Sequence, residues 1–174
     1  MAAHGNRYAI DYSTRMIGRT IVITGASGGI GAVLAERASR AGARTVLAAR
    51  RPRLLGEVVA RCGSESLAVV ADVTHRADVE RILSAALERF GHVDVWVNNA
   101  GRGITRPVSQ LTEQDFDEMM RVNTKSALHG MQVVLPHFKE RGRGHIINVS
   151  SMLGRVPFAP LRSAYSAAKH ALNA

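Results

Sequence analysis

Five short apolar runs, at 20–23, 45–49, 67–71, 93–97 and 145–149, constrain this chain more than any other feature. They are rich in β-branched residues and nearly continuous rather than alternating, which is the pattern of strands covered on both faces. The stretches between them at 30–41, 52–61, 76–90 and 113–140 are long enough for crossover helices. Strand and helix alternate throughout, which predicts an α/β fold with a doubly wound parallel sheet and right-handed crossovers. A chain of 174 residues, 46% hydrophobic, can bury one sizeable core. Residues 1–18 are polar and aperiodic and are expected to form a loosely packed leader, with 19–174 as one domain.

The element ends carry their own signals. Pro52 suits a first helical turn, Gly42 and Gly91 suit helix closures, and Thr112 with Asp115 three residues on suits a capping box. The 113–140 stretch predicts one long helix with an apolar stripe at Phe116, Met120, Ala127, Met131, Val134 and Phe138. Asn123 falls on that stripe, about 20° from Phe116 at 100° per residue. A buried amide needs partners, so Asn123 either bridges backbone groups or belongs to a site.

Charge and composition exclude several classes. The net charge of +9 comes from 20 arginines and three lysines, but they are scattered, and the tightest group, Arg50, Arg51 and Arg53, is short. Surface charge, or a phosphate-bearing small ligand, is expected rather than nucleic acid. Cys62 is the single cysteine, which excludes an internal disulfide and a cysteine metal site, and His129, His137, His145 and His170 lack metal-ligand spacing. Trp96 lies inside a strand and reads as core. No apolar run approaches the roughly 18 residues of a membrane span, and residues 1–18 have no signal-peptide core. A cytoplasmic protein is expected.

Two motifs carry chemistry. Thr24-Gly25-Ala26-Ser27-Gly28-Gly29-Ile30-Gly31 follows the first strand and opens the first helix. Glycines there permit a sharp turn and let a pyrophosphate approach bare N–H groups at the positive end of a helix. Tyr165 and Lys169 stand four residues apart, on one helix face. A free phenol titrates near pH 10, so a cationic neighbour is what makes it a usable proton donor near neutrality.

With these motifs the chain resembles the short-chain dehydrogenase/reductase family, whose members have a Rossmann fold. The resemblance runs from about Ile17 to Ala174. The Gly-rich turn is similar to that family's cofactor loop, Asp72-Val73 to its adenine-contacting pair, and Asn98-Asn99-Ala100-Gly101 to the segment bordering the cofactor. Asn123, Ser151, Tyr165 and Lys169 match its catalytic tetrad. The resemblance implies cofactor contacts from Gly25, Ser27, Gly28, Gly29, Ile30, Gly31, Asp72, Val73, Asn99, Ala100, Gly101, Tyr165 and Lys169. It implies Tyr165 as proton donor or acceptor, Lys169 as its electrostatic partner and ribose contact, Ser151 as the hydroxyl on the substrate oxygen, and Asn123 as the residue ordering a water toward Lys169. Ser150 competes with Ser151 for that role.

At the end of the second strand an NAD site usually places a carboxylate. Here stand Ala49, which accepts nothing, and Arg50, which can clamp a 2′-phosphate, with Arg51 nearby; NADP is therefore expected over NAD. Arg50 as a surface neutraliser is the alternative.

The chain departs from the family in two ways. Ser151 and Tyr165 are 14 residues apart, one more than usual, which predicts a distorted loop through Arg155, Pro157 and Pro160. The last strands and helices of the family are lacking, so a fragment of a longer enzyme is expected. The resulting expectation is an oxidoreductase acting on a small-molecule carbonyl or secondary alcohol, homodimeric or homotetrameric when full-length. A catalytically silent nucleotide-binding or scaffold fragment is the alternative.

Overall fold

The structure is a computed structural model and describes residues 16–156 and 160–174. Five strands, β1 (Thr20–Thr24), β2 (Arg44–Ala49), β3 (Ser66–Val70), β4 (Val95–Asn98) and β5 (His145–Asn148), pair in parallel in the order β3-β2-β1-β4-β5. They alternate with α1 (Gly29–Arg40), α2 (Pro52–Cys62), α3 (Arg76–Phe90), α4 (Glu113–Met120) and α5 (Ser126–Glu140), and α6 (Ser163–Asn173) follows β5. Winding starts at β1 and proceeds to both sides. Strand order therefore reverses between β1 and β4, and that switch point leaves a crevice at the carboxyl ends of the strands. This is the doubly wound Rossmann arrangement that the alternation predicts.

Side chains of a strand point alternately to opposite faces, and β1 shows how the sheet uses this. Ile21 and Ile23 join Ala35, Leu47, Leu55 and Val58 under α1 and α2. Val22 points the other way, toward Val79, Ile82, Trp96, Val134 and Phe138 under α3 and α5. Trp96 is fully buried, and its Nε1–H donates to Asn98 Oδ1 at 2.8 Å. Gly130 lets α5 close on this pair: a Cβ there would stand 2.2 Å from Asn98 Oδ1.

Two expectations need correction. Covering on both faces holds for β1, β2 and most of β4, whereas β3 and β5 form the sheet edges and leave Val70 and Ile147 exposed. The expected helix 113–140 is not regular: a π-helical turn, Arg121–Lys125, separates α4 from α5, and the Ser126 N–H reaches back five residues to the Arg121 carbonyl. The wide turn holds one extra residue, so the inward stripe shifts by one position upstream of it. Met119 is buried where Met120 was expected, and Phe116 is 41% exposed. Of the expected leader, residues 1–15 lie outside the described residues, and Met16 packs against the core beneath α1 and α2.

The predicted caps are present. Pro52 opens α2, Gly91 closes α3 with φ 77, and Thr112 and Asp115 exchange side-chain and backbone hydrogen bonds at the start of α4.

At the amino ends of the strands, buried Asp94 ties several elements together. It accepts the Thr20 N–H at 2.9 Å and lies 3.3 Å from Arg141 and 3.1 Å from His92. Burial opposes its ionisation, but the Thr20 hydrogen bond, the His92 imidazole and the Arg141 guanidinium outweigh it and hold the carboxyl below its usual range. A depressed folded value means that the stabilisation is present above the unfolded pKa and is lost as pH falls through the folded one. Asp94→Asn is expected to cost about 3 kcal/mol in neutral denaturant titrations, because it leaves the half-buried Arg141 without its buried carboxylate. The gap between the variants should narrow below about pH 4. An equal gap at all pH values would contradict this role.

Candidate active site

The Gly-rich turn is held open by a clasp across the switch point. Thr24, at the end of β1, donates its hydroxyl to the Val97 carbonyl at 3.2 Å and accepts the N–H groups of Asn99 and Ala100 at 3.0 and 3.1 Å. The Asn99 amide donates in return to the carbonyls of Thr24 and Gly25, at 2.9 and 3.4 Å. The turn passes so close that a Cβ on Gly25 would stand 2.7 Å from Ala100 Cα, and one on Gly31 2.6 Å from the Asn99 amide. Gly25 also has φ +68, which a side chain would strain. Beyond it, Gly28, Gly29 and Ile30 form the amino end of α1, where unpaired N–H groups and the helix dipole favour an anion.

From this turn a groove runs to the end of β2 on one side and to Gly101 and Arg102 on the other. Ala49, Ala71 and Val73 make its apolar part and Arg50 and Asp72 its polar rim. Arg50 lies 3.6 Å from Asp72, whose other oxygen accepts the N–H and hydroxyl of Thr74 at 3.0 and 2.8 Å. Burial opposes ionisation of Asp72, and the Thr74 hydrogen bonds and Arg50 more than offset it, so its carboxyl titrates low. Arg51 instead folds onto the Gly-rich turn, donating to Ser27 Oγ at 3.0 and 3.1 Å. Two guanidinium groups thus border the groove where a carboxylate is missing. A dinucleotide fits this donor set: apolar floor, bare amides at a helix start, and a polar rim at the β2 end.

The other end of the groove meets α6. Lys169 is 4% exposed, donates to the Val149 carbonyl at 2.9 Å and stands 5.8 Å from the centre of the Tyr165 ring. Burial lowers its pKa from the ordinary lysine value. Gly101 separates Lys169 from Asn123: a Cβ on Gly101 would lie 3.5 Å from Nζ and 2.7 Å from Asn123 Oδ1. Asn123 itself sits in the π turn, fully enclosed. Its amide donates to the Arg102 and Met119 carbonyls at 2.9 and 3.0 Å, and its Oδ1 accepts the Arg102 N–H at 3.2 Å. Of the two possibilities the sequence leaves open, the bridging of backbone groups is what these bonds do, at the very end of the groove.

Ser151 follows β5 and accepts the Leu153 N–H at 3.2 Å, starting a single 3-10 turn at Met152–Gly154, while Ser150 donates toward the Lys169 carbonyl at 3.4 Å. Helix α6 is anchored along its length. Thr124 donates to Ala168 O at 2.9 Å, Ser166 to Leu153 O at 2.7 Å and Asn173 to Gly154 O at 2.8 Å, around a small core of Met119, Ala164 and Ala168. Arg155 is exposed, and Pro157, in the loop expected to be distorted, lies outside the described residues. Sequence reading did not single out the Thr24 clasp, the Arg51–Ser27 contact or Thr74. Thr24 had one available signal, a strand-end hydroxyl directly before the Gly-rich turn.

Comparison with known proteins agrees with this arrangement. A family model described as short chain dehydrogenase matches residues 19–174. An uncharacterised oxidoreductase of Staphylococcus epidermidis is 35% identical over 156 residues, covering 90% of this chain and 67% of the relative. One from Listeria monocytogenes is 38% identical over 158 residues, covering 89% and 63%. This chain therefore spans about two thirds of the length of such relatives. Among solved structures, a short-chain dehydrogenase/reductase from Burkholderia phymatum in complex with NAD superimposes with TM-score 0.86 at 33% identity, over 91% of this chain and 57% of that one. A metagenomic short-chain oxidoreductase in complex with NADP gives 0.85 at 35% identity, over 92% and 74%. The chain belongs to the short-chain dehydrogenase family.

Proposed function

We propose that the chain carries the nucleotide-binding and proton-transfer halves of an NADP-preferring oxidoreductase that interconverts a small-molecule carbonyl and its alcohol. The observation that carries this reading is the position of Gly101. It borders the nucleotide groove, and a Cβ on it would stand 2.7 Å from Asn123 Oδ1 and 3.5 Å from Lys169 Nζ, which sets that end of the groove beside the Tyr165 helix. A bound nicotinamide dinucleotide supplies or accepts the hydride. Tyr165 then gives its hydroxyl proton to the carbonyl oxygen in reduction, or takes one from the alcohol in oxidation. Lys169, buried and cationic beside the ring, stabilises the phenolate that the proton transfer leaves. Ser151 is the hydroxyl available to bond the substrate oxygen as charge builds there. Asn123 acts through the Arg102 backbone, fixing the wall of the groove, and is a positioning residue.

The residues proposed to hold the cofactor are Gly25, Ser27, Gly28, Gly29, Ile30 and Gly31 at the phosphates and Arg50 at the 2′-phosphate. Asp72 and Val73 serve the adenine, and Asn99, Ala100, Gly101, Tyr165 and Lys169 the nicotinamide side. Arg51 joins this set because it already bridges β2 to the turn. The structures similar to this one include both an NAD and an NADP complex, so the preference rests on this chain's own Ala49 and Arg50. A cytoplasmic location and a homodimeric or homotetrameric full-length form belong to the same proposal. Exposed Phe116, Leu128 and Leu135 on α4 and α5 support the latter. Among the described residues, no helix is long and apolar enough to cross a membrane.

A catalytically silent nucleotide-binding fragment is the second reading, favoured by the backbone bonds that engage Ser151 and Lys169. Tyr165→Phe separates the two. NADPH-dependent reduction of an aldehyde panel should fall by about 100-fold or more, the scale of a lost general acid, while NADPH still binds. Binding without turnover in the unmodified chain would favour the silent reading.

The cofactor preference has its own test. Arg50→Ala should weaken NADPH binding by about tenfold, one charge-assisted contact, and leave NADH binding within about twofold. Equal losses for both cofactors in fluorescence titrations would show that Arg50 does not read the 2′-phosphate.

A further inference from the structure

The described residues include five half-buried arginines: Arg44, Arg106, Arg121, Arg141 and Arg162. Four are paired with carboxylates, Arg44 with Glu65, Arg106 with Asp115, Arg121 with Glu118 and Arg141 with Asp94. Arg162 stands apart. Among the described residues its guanidinium has neither an ion-pair partner nor a hydrogen-bond acceptor, although the residue is half-buried and arginines so placed are ordinarily paired.

Its position is also imposed on the chain. Leu161, directly before it, has φ 65, a left-handed conformation that a bulky residue rarely adopts. The Leu161 carbonyl accepts the Arg106 N–H at 2.9 Å, and Arg106 is in turn paired with Asp115 at the cap of α4. This strained corner delivers Arg162 to the space above Gly103. The point where a Gly103 Cβ would stand is 2.6 Å from Arg162 Nη1 and 3.8 Å from Tyr165 Cδ2, so guanidinium and phenol share one wall. Arg162 is not among the residues that line the nucleotide groove, which separates it from the phosphates expected at the Gly-rich turn.

We propose that Arg162 is the specificity-determining residue of the site and that the substrate is a carbonyl compound or alcohol bearing a carboxylate, which pairs with this guanidinium. The inference rests on the oxidoreductase reading for the role of Tyr165. A planar fork of N–H donors matches a carboxylate through two parallel hydrogen bonds. Bare Gly103 lets the guanidinium lie close against its loop, and a carboxylate paired there would bring the reacting oxygen to the tyrosine side of the same wall.

The test uses two matched pairs of probes on the full chain. Binding of 4-carboxybenzyl alcohol and of its methyl ester is measured by calorimetry with and without NADP, and turnover of 4-carboxybenzaldehyde and its methyl ester is followed with NADPH. The acid should bind at least about tenfold tighter than the ester, one charge-assisted pair. Arg162→Gln should abolish that preference while NADPH affinity and ester turnover stay unchanged. Gly103→Ala, which crowds the guanidinium without altering charge, should reduce the preference too. An unmodified chain that binds acid and ester alike, or an Arg162→Gln variant that keeps the preference, would overturn the proposal. If Arg162→Gln does not fold, the unmodified pair decides by the same criterion. Acid-selective binding without turnover would support the Arg162 assignment and count against the oxidoreductase reading, so the two failures remain distinguishable.

Discussion

The site depends on the clasp between Thr24 and Asn99. In a parallel sheet wound outward from β1, the two strands flanking the switch point are separated by more than 70 residues of chain, and backbone pairing in their last residues alone does not shape the loops beyond them. One hydroxyl that donates to β4 and accepts two of its following N–H groups, and one amide that donates back to β1, lock both loops together. The Gly-rich turn then has a defined shape, and Gly101 is carried to Asn123 and Lys169. Without that clasp the anion-binding end and the tyrosine end of the groove would move independently.

Charge is distributed to match. The β2 end of the groove offers Arg50 and Arg51 where an NAD site has a carboxylate, and the tyrosine end offers buried Lys169 and half-buried Arg162. Carboxylates near these regions are committed elsewhere: Asp115 to Arg106, Glu118 to Arg121, and Asp72 partly to Arg50. The short helix α6 carries both Tyr165 and Lys169, and its position follows from specific bonds rather than from its length. Thr124, Ser166 and Asn173 tie it to the π turn and to the turn after Ser151.

Much of this was legible in the sequence, because strand runs, glycine placement and a tyrosine–lysine offset are local signals with physical meaning. The parallel sheet, the caps at Pro52, Gly91 and Thr112, the core position of Trp96 and the burial of Asn123 all followed from them. What was missed depends on tertiary context. The π turn at Arg121–Lys125 has no periodic signature, and a single inserted residue displaced the inward stripe from Phe116 and Met120 to Met119. The exposed edges at β3 and β5 reflect strand order, which apolar runs do not encode. The Arg50–Asp72 and Arg51–Ser27 contacts join residues 22 and 24 positions apart, and the strain at Leu161 arises only where two loops meet.

The central claim, that the clasped switch point forms one dinucleotide groove ending at the tyrosine helix, is tested most directly by amide hydrogen exchange with and without saturating NADPH. Slowed exchange confined to peptides covering 25–31, 49–51, 72–74 and 99–102, with a smaller effect at the start of α6, is the expected result. No change in these segments as NADPH is raised, or protection only at the opposite edge around Asp94 and Arg141, would contradict it.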